Sequence, residues 1–216
     1  MPLFAALALA AMLQKPAPKD PYAGDIARFK AMDHKHRPAL GQILFIGSSS
    51  FTRWTDVQDY FPGYHILNRA FGGSTLLDQI AHVKDMVLPY KPKQIVIYCG
   101  ENDFAYDSTL SVTSAVGRFK TLFQLIRTGL PGVPIAYVSM KPSLNRWSLR
   151  GKFQAADGYI KYFLSLQKKT DFVDVWDLML SPSGWPQPNI FGPDRLHMNA
   201  LGYRLWKPLI QTVLLK

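Results

Sequence analysis

The sequence is poorest in cysteine. A single thiol, Cys99, stands among 216 residues, so the chain can form no internal disulfide and no cysteine-based zinc cage. Acidic residues are also few, since 15 Asp and Glu face 25 Lys and Arg and leave a net charge of +10. The basic residues are spread out, without a dense run or a nucleic-acid motif. The charge therefore predicts weak attraction to anionic polymers or membrane surfaces, and no nucleic-acid partner is expected.

Long hydrophobic runs are missing as well. The most apolar stretch, residues 2–13, is too short to cross a bilayer as a helix. It resembles the hydrophobic region of a secretory signal peptide, with a small-residue cleavage option at residues 8–10 but no basic residue before Lys15. We expect a segment 1–22, made of this stretch and a Pro-rich linker at 15–21, followed by one domain at 23–216. The expected location is secreted or periplasmic, and a cytoplasmic one stays open.

Short apolar segments alternate with amphipathic ones along the rest of the chain. Five segments read as strands: 43–46, 65–67, 94–98, 135–140 and 172–175. Five read as helices: 25–34, 76–87, 111–130, 149–167 and 199–214. This order predicts an α/β fold, a three-layer α/β/α sandwich around a five-stranded, mainly parallel sheet. In such sheets ligands bind beyond the carboxyl ends of the strands, near a topological switch.

The first predicted strand ends in a turn with three hydroxyl groups. Gly47 follows four apolar residues and is followed by Ser48, Ser49 and Ser50. A strand that ends in Gly and delivers a Ser into a turn is one way to expose a nucleophile. Serines at this place also serve as turn residues or helix N-caps. The stretch alone favours the structural interpretation.

Polar turns after other strands supply further parts of an acyl-transfer site. Gly72 and Gly73 follow the second strand, and Asn102 follows the third. Their amides are donors suited to a developing oxyanion. Asp194 precedes His197 by three residues, a spacing that brings the two side chains to one side of a turn. A His held by a carboxylate is the usual base for a Ser hydroxyl.

Taken together, these turns resemble the sequence blocks of the SGNH hydrolases, also called GDSL-type esterases and lipases. The resemblance runs over nearly the whole chain from about residue 25. Each block is weak alone, but four blocks occur in the family's order. They are Gly47-Ser48-Ser49, residues 68–75, Gly100-Glu101-Asn102-Asp103, and Asp194 with His197.

The resemblance implies a flavodoxin-like SGNH hydrolase fold and a role for each matched residue. Ser49 is expected as nucleophile, with Asp194 and His197 completing the triad. The amides of Ser49 and Gly73 and the Asn102 side chain are expected to form the oxyanion hole. Neither a metal nor an organic cofactor is expected.

One matched position departs from the family signature. Ser48 stands where Gly-Asp-Ser has its Asp, and it is followed by two serines and, at 54, a Trp, which resembles a subgroup of the family. The Asp is not a triad member, so the change bears on how the turn is held. The G-x-S-x-G elbow of α/β-hydrolases is absent, because Phe51 occupies its last Gly position.

The roles of the neighbouring residues follow from composition. We expect Ser48 and Ser50 to cap a helix or bond the turn, Asp103 to bond loop amides, and Glu101 to line the rim of the site. A solvated loop with one packed Trp, Trp147, is expected to carry Lys141, Arg146, Arg150 and Lys152. Binding of an acidic or sugar-bearing substrate by this loop stays open. Substrate contacts are predicted for three residues of the surrounding loops: Arg146, Trp147 and Phe191.

The sequence as a whole predicts a serine esterase, monomeric or weakly associated, that forms an acyl-enzyme. Its expected partners are carboxylic esters with short acyl or acetyl groups, including esters on carbohydrates. Lysophospholipase or thioesterase specificity stays open, as does a non-catalytic carbohydrate or envelope-polymer binder on the same scaffold. A metal phosphodiesterase built on Asp103, Asp194 and His197 is a weaker alternative, since it needs more ligands than these.

Overall fold

The computed structural model describes residues 20–216. The predicted signal-like stretch and most of the linker lie outside these residues. The fold is an α/β sandwich around one sheet in which every pairing is parallel, in the order β2-β1-β3-β4-β5. Its strands are β1 (Ile43–Gly47), β2 (Ile66–Asn68), β3 (Gln94–Tyr98), β4 (Ile135–Val138) and β5 (Thr170–Val173). The predicted fold class is confirmed.

The five predicted helices are present, and three short ones were not foreseen. The long helices are α1 (Ala23–Lys35), α4 (Leu76–Met86), α6 (Val112–Gly129), α7 (Arg150–Ser165) and α8 (Ala200–Gln211). The short ones are α2 (Ser49–Thr52), α3 (Val57–Tyr60) and α5 (Glu101–Tyr106). A single turn of helix lacks the length over which a 3.6-residue hydrophobic period can be read. The hydrophobic pattern therefore predicts no helix at these three segments.

The last strand was predicted two residues too far along the chain. β5 pairs with β4 from Thr170 to Val173, in register with Ile135 to Val138. The Thr170 hydroxyl donates to the carbonyl of Leu164 at 2.7 Å, which brings the chain from α7 directly into the strand. The apolar run that suggested residues 172–175 therefore extends past the strand into the following turn.

Alternation along the central strands divides the core into two layers. On β1, Leu44 and Ile46 face the layer that contains α4, α6 and α7, whereas Ile43 and Phe45 face the layer that contains α8. All four side chains are buried, as expected for a parallel sheet covered on both faces. Cys99, which directly follows β3, is buried in the first layer, and this burial raises its thiol pKa.

Helix α1 is attached to the sheet by a buried polar cluster. The Arg69 guanidinium, after β2, forms an ion pair with Asp33 of α1 and donates to the Tyr90 hydroxyl at 3.0 Å. Tyr90 in turn donates to Asp33 at 2.5 Å.

None of the helices between residues 20 and 216 has the length and apolar character needed to cross a membrane.

The strand order creates a crevice next to β1. The chain passes from β1 to β2 on one side and then returns to β3 on the other side of β1. In doubly wound sheets this topological switch opens a crevice at the carboxyl ends of the two central strands. The residues after β1, β2 and β3 therefore meet at one place.

Candidate active site

The turn after β1 requires a glycine at its first position. Gly47 has a φ of +128°, and a Cβ atom built there would lie 1.9 Å from the carbonyl oxygen of Tyr98. No side chain fits this close approach of β1 and β3. The Ser48 amide then donates to the same Tyr98 oxygen at 2.9 Å, and α2 begins at Ser49. The chain thus turns sharply from a buried strand into a short helix.

The three serines of this turn have different surroundings. Ser49 Oγ lies 2.8 Å from His197 Nε2, across 148 positions of sequence. Ser48 Oγ accepts a hydrogen bond from Asn102 Nδ2 at 2.8 Å, and Ser48 is the N-cap residue of α2, although its side chain makes no capping hydrogen bond. Ser50 Oγ is buried and has no hydrogen-bond partner within the described chain. Ser49 is thus the serine whose hydroxyl meets an imidazole.

Asp194 and His197 form a compact hydrogen-bonded turn. His197 Nδ1 lies 2.6 Å from Asp194 Oδ2, while Asp194 Oδ1 accepts the backbone amides of Leu196 at 3.0 Å and His197 at 2.9 Å. Arg195, between them, has a φ of +56°, a left-handed conformation uncommon outside glycine. Such conformations persist where the surrounding structure fixes them, and the bonds to Asp194 do so here. The contact at Nδ1 leaves Nε2 to face Ser49.

This turn is held from both ends. Asn199 caps α8, since its Oδ1 accepts the amides of Leu201 at 2.9 Å and Gly202 at 3.3 Å. This cap fixes where the helix begins after His197. On the other side, the Asn145 amide donates to the carbonyl of Arg195 at 3.1 Å. The loop between β4 and α7 therefore supports the turn directly.

The two ionisable groups of the turn have shifted pKa values. Burial acts to raise the pKa of Asp194, but hydrogen bonds from the ring and amide of His197 and from the amide of Leu196 outweigh it and hold that pKa well below its usual range. Burial lowers the pKa of His197 from its usual 6.5, against the opposing effect of the hydrogen bond that its ring donates to Asp194. The positive charges of Arg53 and Lys141 lower it further. Asp194 is therefore ionised and His197 neutral at neutral pH.

Three candidate donors lie around Ser49 Oγ. The backbone amides of Ser49 and Gly73 make no hydrogen bond within residues 20–216, and both residues line the same cavity as His197. Gly73 has a φ of +83°, so its conformation suits glycine. Asn102, on the first turn of α5, lines this cavity from the β3 side. Amides that lack partners are available to an incoming negative oxygen.

The Asn102 side chain is fully hydrogen-bonded. Its Nδ2 donates to Ser48 Oγ at 2.8 Å and to the carbonyl of Ser74 at 3.0 Å. Its Oδ1 accepts from Arg146 Nη2 at 2.7 Å. Both amide hydrogens thus have neutral acceptors, and a charged oxygen in the cavity has to compete for one of them. An ionised acceptor forms the stronger hydrogen bond in such a competition.

A buried charge cluster lies behind Asn102. Glu101 accepts from Lys141 Nζ at 2.9 and 3.2 Å, from Arg146 Nη1 at 3.1 Å, and from the hydroxyl of Tyr98. Glu101 is only 5 % exposed and Lys141 only 1 %. The expectations of Glu101 at the rim and Lys141 on a solvated loop were therefore wrong. Each charge needs the other in order to be buried, a pairing that one-dimensional spacing does not reveal.

The cavity in front of Ser49 is small, and most of the residues that line it are of polar types. Its volume is about 300 Å³. Leu196 is the one aliphatic side chain among the residues that line it, and Tyr106 is the one aromatic side chain besides His197. The lining residues are Ser49, Thr52, Arg53, Gly72, Gly73, Asn102, Tyr106, Arg146, Leu196 and His197. Arg53 was not foreseen, although its position four residues after Ser49 places it on the same side of a helical turn.

Of the three predicted substrate contacts, the structure brings one to this cavity. Arg146 lines it, but its terminal nitrogens are bonded to Glu101 and Asn102. Trp147 points elsewhere and stacks between Trp176 and Trp185, with ring centroids 6.2 and 5.3 Å away. Phe191 is buried in the core layer on the α8 side. The positions of Trp147 and Phe191 thus do not fit the predicted contacts, because both rings are packed against other parts of the protein.

The third polar turn includes a carboxylate with a structural role. Asp103 Oδ2 accepts the Leu76 amide at the start of α4 at 2.9 Å, and Oδ1 accepts from Arg118 Nη1 at 2.8 Å. The predicted bond to a nearby amide is therefore present. Within residues 20–216, no group of three or more His, Cys, Asp or Glu side chains is placed to hold a metal ion. Asp103 is thus committed to α4 and α6.

Comparison with known proteins identifies relatives of both sequence and fold. The model of the GDSL-like Lipase/Acylhydrolase family matches residues 46–205. Among curated proteins no sequence matches the chain. A candidate platelet activating factor from Streptococcus pneumoniae has a similar structure, with a TM-score of 0.76 and 20 % identity over 88 % of this chain and 90 % of that one.

Two further solved structures share the fold. A GDSL-like lipase from Bacteroides thetaiotaomicron superposes with a TM-score of 0.73 at 18 % identity, over 87 % of this chain and 96 % of that one. An acetyl-xylooligosaccharide esterase from Geobacillus gives a TM-score of 0.62 at 14 % identity, over 82 % and 96 %. At these identities the likeness is one of fold.

Proposed function

The chain belongs to the GDSL-like lipase/acylhydrolase family, and we propose that it is a serine hydrolase of carboxylic esters with Ser49 as its nucleophile. The observation that carries the proposal is the unbroken set of hydrogen bonds from Asp194 through His197 to Ser49 Oγ, at 2.6 and 2.8 Å. This is the arrangement in which a base removes the proton of a hydroxyl while a carboxylate holds the base.

In the proposed acylation step, Ser49 Oγ attacks the ester carbonyl carbon and its proton passes to His197 Nε2. Asp194 keeps the other ring proton on Nδ1 and stabilises the imidazolium. When the tetrahedral intermediate collapses, the bond to the alcohol oxygen breaks and His197 returns the proton to that oxygen. The alcohol leaves, and the acyl group remains on Ser49.

The carbonyl oxygen becomes negative in the intermediate. We assign the amides of Ser49 and Gly73 and the Asn102 side chain as its donors, which are preorganised by the turns after β1 and β2 and by α5. At Asn102 the oxyanion takes over a hydrogen that Ser48 Oγ or the Ser74 carbonyl accepts at rest. The charged oxygen is the better acceptor, so this exchange favours the intermediate over the ground-state ester.

Deacylation repeats the same steps with water. His197 takes a proton from a water molecule as the water oxygen attacks the acyl carbon. The bond to Ser49 Oγ then breaks, His197 returns the proton to Ser49, and the carboxylic acid is released. The cycle needs no metal or organic cofactor, because every proton moves between water, substrate and the described side chains.

The cavity supports short acyl groups. A volume of about 300 Å³ with one aliphatic side chain, Leu196, offers little apolar surface to a long chain. We therefore propose acetyl and similarly short esters on polar alcohols, with carbohydrate esters included. Lysophospholipase activity is the less favoured specificity on this ground, and thioesters of short acids remain compatible with the same site.

A non-catalytic binding protein on this scaffold is the alternative. A binder has no need of a hydroxyl aligned with an imidazole, so the two proposals differ at Ser49. A fluorophosphonate probe, which phosphonylates an activated serine, should label the protein on Ser49, as identified by peptide mass analysis. Ser49→Ala should remove both labelling and hydrolysis of p-nitrophenyl acetate while leaving the thermal unfolding transition unchanged. An unlabelled wild-type protein, or an active Ser49→Ala variant, contradicts the proposal.

A further inference from the structure

Arg146 occupies an unusual place for a residue at the wall of a cavity. Its side chain is 14 % exposed, and its two terminal nitrogens are bonded to protein groups: Nη1 to Glu101 at 3.1 Å and Nη2 to Asn102 Oδ1 at 2.7 Å. A guanidinium forms such forked contacts with both of its nitrogens held in one plane. The geometry places Arg146 against the back of Asn102, on the side away from the Nδ2 donor.

A guanidinium only donates hydrogen bonds, and this fact determines how the Asn102 amide is turned. Because Arg146 has no acceptor atom, the oxygen of the amide has to face it, and the NH₂ group has to face Ser48 and Ser74. A flipped amide would set NH₂ against a cation and leave the site without its side-chain donor. The contact with a positive charge also polarises the amide, which makes its N–H hydrogens better donors.

The cation is itself held in place by the buried cluster. Glu101 accepts from Arg146 on one side and from Lys141 on the other, so one carboxylate faces two basic groups. Burial lowers the pKa of Lys141 from its usual value, while Glu101 opposes the shift. Arg146 keeps its charge whatever the state of Lys141. Ser48, in place of an acidic residue, adds no negative charge on the other side of Asn102.

We propose that Arg146 is a positioning residue for the reaction: it fixes the Asn102 amide with Nδ2 toward the oxyanion and strengthens that donor, with Glu101 holding the guanidinium. The inference rests on the proposed esterase function. It gives the positive charge of a cavity-lining arginine a role in the transition state, and it differs from the sequence-based expectation that Arg146 binds substrate directly. The two roles make opposite demands on the kinetic constants.

Steady-state kinetics with p-nitrophenyl acetate separates these roles. Arg146→Met should lower kcat by about tenfold to a hundredfold, somewhat less than loss of an oxyanion donor itself, and leave KM within about twofold. Arg150→Met is the matched control, because Arg150 is the first residue of α7, directly after the loop that carries Arg146, is exposed, and bonds the carbonyl of Trp147. It should keep the wild-type constants. An unchanged kcat overturns the proposal, whether or not KM rises.

A second measurement detects the oxyanion contact without turnover. Phenylboronic acid forms a tetrahedral anionic adduct with an activated serine, so its inhibition constant should weaken in Arg146→Met by the same factor as kcat falls. Equal inhibition of wild type and variant overturns the proposal.

Arg146→Lys, which keeps a cation beside Glu101 but lacks the forked guanidinium, provides the test if the Met variant does not fold. It should lose at least fivefold in kcat at unchanged KM, and full wild-type kcat contradicts the role. Labelling of wild-type Ser49 by the fluorophosphonate reports on the esterase function separately.

Discussion

The hydroxyl of Ser48 lies 2.8 Å from Nδ2 of Asn102 and accepts one of its two amide hydrogens. The residue that departs from the Gly-Asp-Ser signature thus remains in contact with the proposed oxyanion donor. Both residues are buried, at 5 % and 3 % exposure, so the contact is shielded from water. Three features of the site can be measured directly: the donor Asn102, its neighbour Ser48, and the protonation of His197.

Replacing Asn102 should slow turnover strongly. In Asn102→Ala we expect kcat for p-nitrophenyl acetate to fall roughly 10²–10³-fold, because one preorganised donor to the oxyanion is lost. Ser48→Ala removes only the support of that donor and should cost about tenfold or less. A loss below tenfold in Asn102→Ala rejects the donor role. A Ser48→Ala variant slower than Asn102→Ala would mean that Ser48 has a role of its own.

The pH dependence of kcat/KM should report the environment of His197. The base has to be neutral, and burial together with Arg53 and Lys141 disfavours its cation, so activity should rise with pH through one ionisation with a midpoint below 6.5. Arg53→Met removes one of these positive charges and should move the midpoint upward. Arg37→Met, an exposed arginine that precedes β1, is the control and should leave it in place. A midpoint that stays fixed in Arg53→Met contradicts this account.

Ser50 and Ser49 should respond in opposite ways to the same substitution. Ser50 Oγ is buried without a hydrogen-bond partner among residues 20–216, so its loss removes a polar group that was desolvated without compensation. Ser50→Ala should retain activity. Its free energy of unfolding, measured with denaturant, should be unchanged or higher by up to about 1 kcal/mol. The Tyr203 hydroxyl bonds the carbonyl of Ser50, which alanine keeps. Loss of fluorophosphonate labelling in Ser50→Ala would contradict the assignment of Ser49 as the nucleophile.

Gly47 should tolerate no side chain. Gly47→Ala places a Cβ 1.9 Å from a backbone oxygen of β3 and should destabilise the protein by at least about 2 kcal/mol in urea unfolding. Gly117→Ala is the matched control, since Gly117 lies within α6 with open space around it and should gain roughly 0.5–1 kcal/mol. If the two variants are equally stable, the close approach of β1 and β3 at Gly47 is not a constraint.

Acyl-chain length should limit hydrolysis. With p-nitrophenyl esters, kcat/KM should be highest for the acetyl to butyryl esters and fall at least about tenfold for the octanoyl ester. The cavity is small, and Leu196 is its one aliphatic contact within the part of the chain that the structure describes. Activity that increases with chain length would favour the lysophospholipase specificity instead.

The sheet could be predicted because its strands have a simple pattern. Strands β1 and β3 contain the apolar runs 43–46 and 95–98, and glycine and polar residues follow each run, so the alternation with helices gives the fold directly. The position of the candidate site followed from the rule for carboxyl ends of parallel strands. The family blocks then singled out Ser49 among three serines, and the structure places it beside His197.

What the sequence did not reveal depends on pairing over distance. Glu101 and Lys141 are 40 positions apart, and neither has a spacing that marks it as buried, yet each compensates the charge of the other. The turn of Trp147 toward Trp176 is likewise a packing outcome, since a Trp next to a basic residue on a loop has no fixed direction in sequence. Such contacts are properties of the assembled fold.

The loop at residues 139–149 has consequences for how such enzymes diversify and can be engineered. Through Asn145 it supports the Asp194–His197 turn, and through Arg146 it holds Asn102, so a single segment serves both sides of the nucleophile. Grafting this loop from a relative in order to change substrate preference would also reset the acid–base geometry and the amide of Asn102. Recombination between homologues should therefore succeed when its crossovers keep this loop together with residues 101–102 and 194–197, and fail when they separate them.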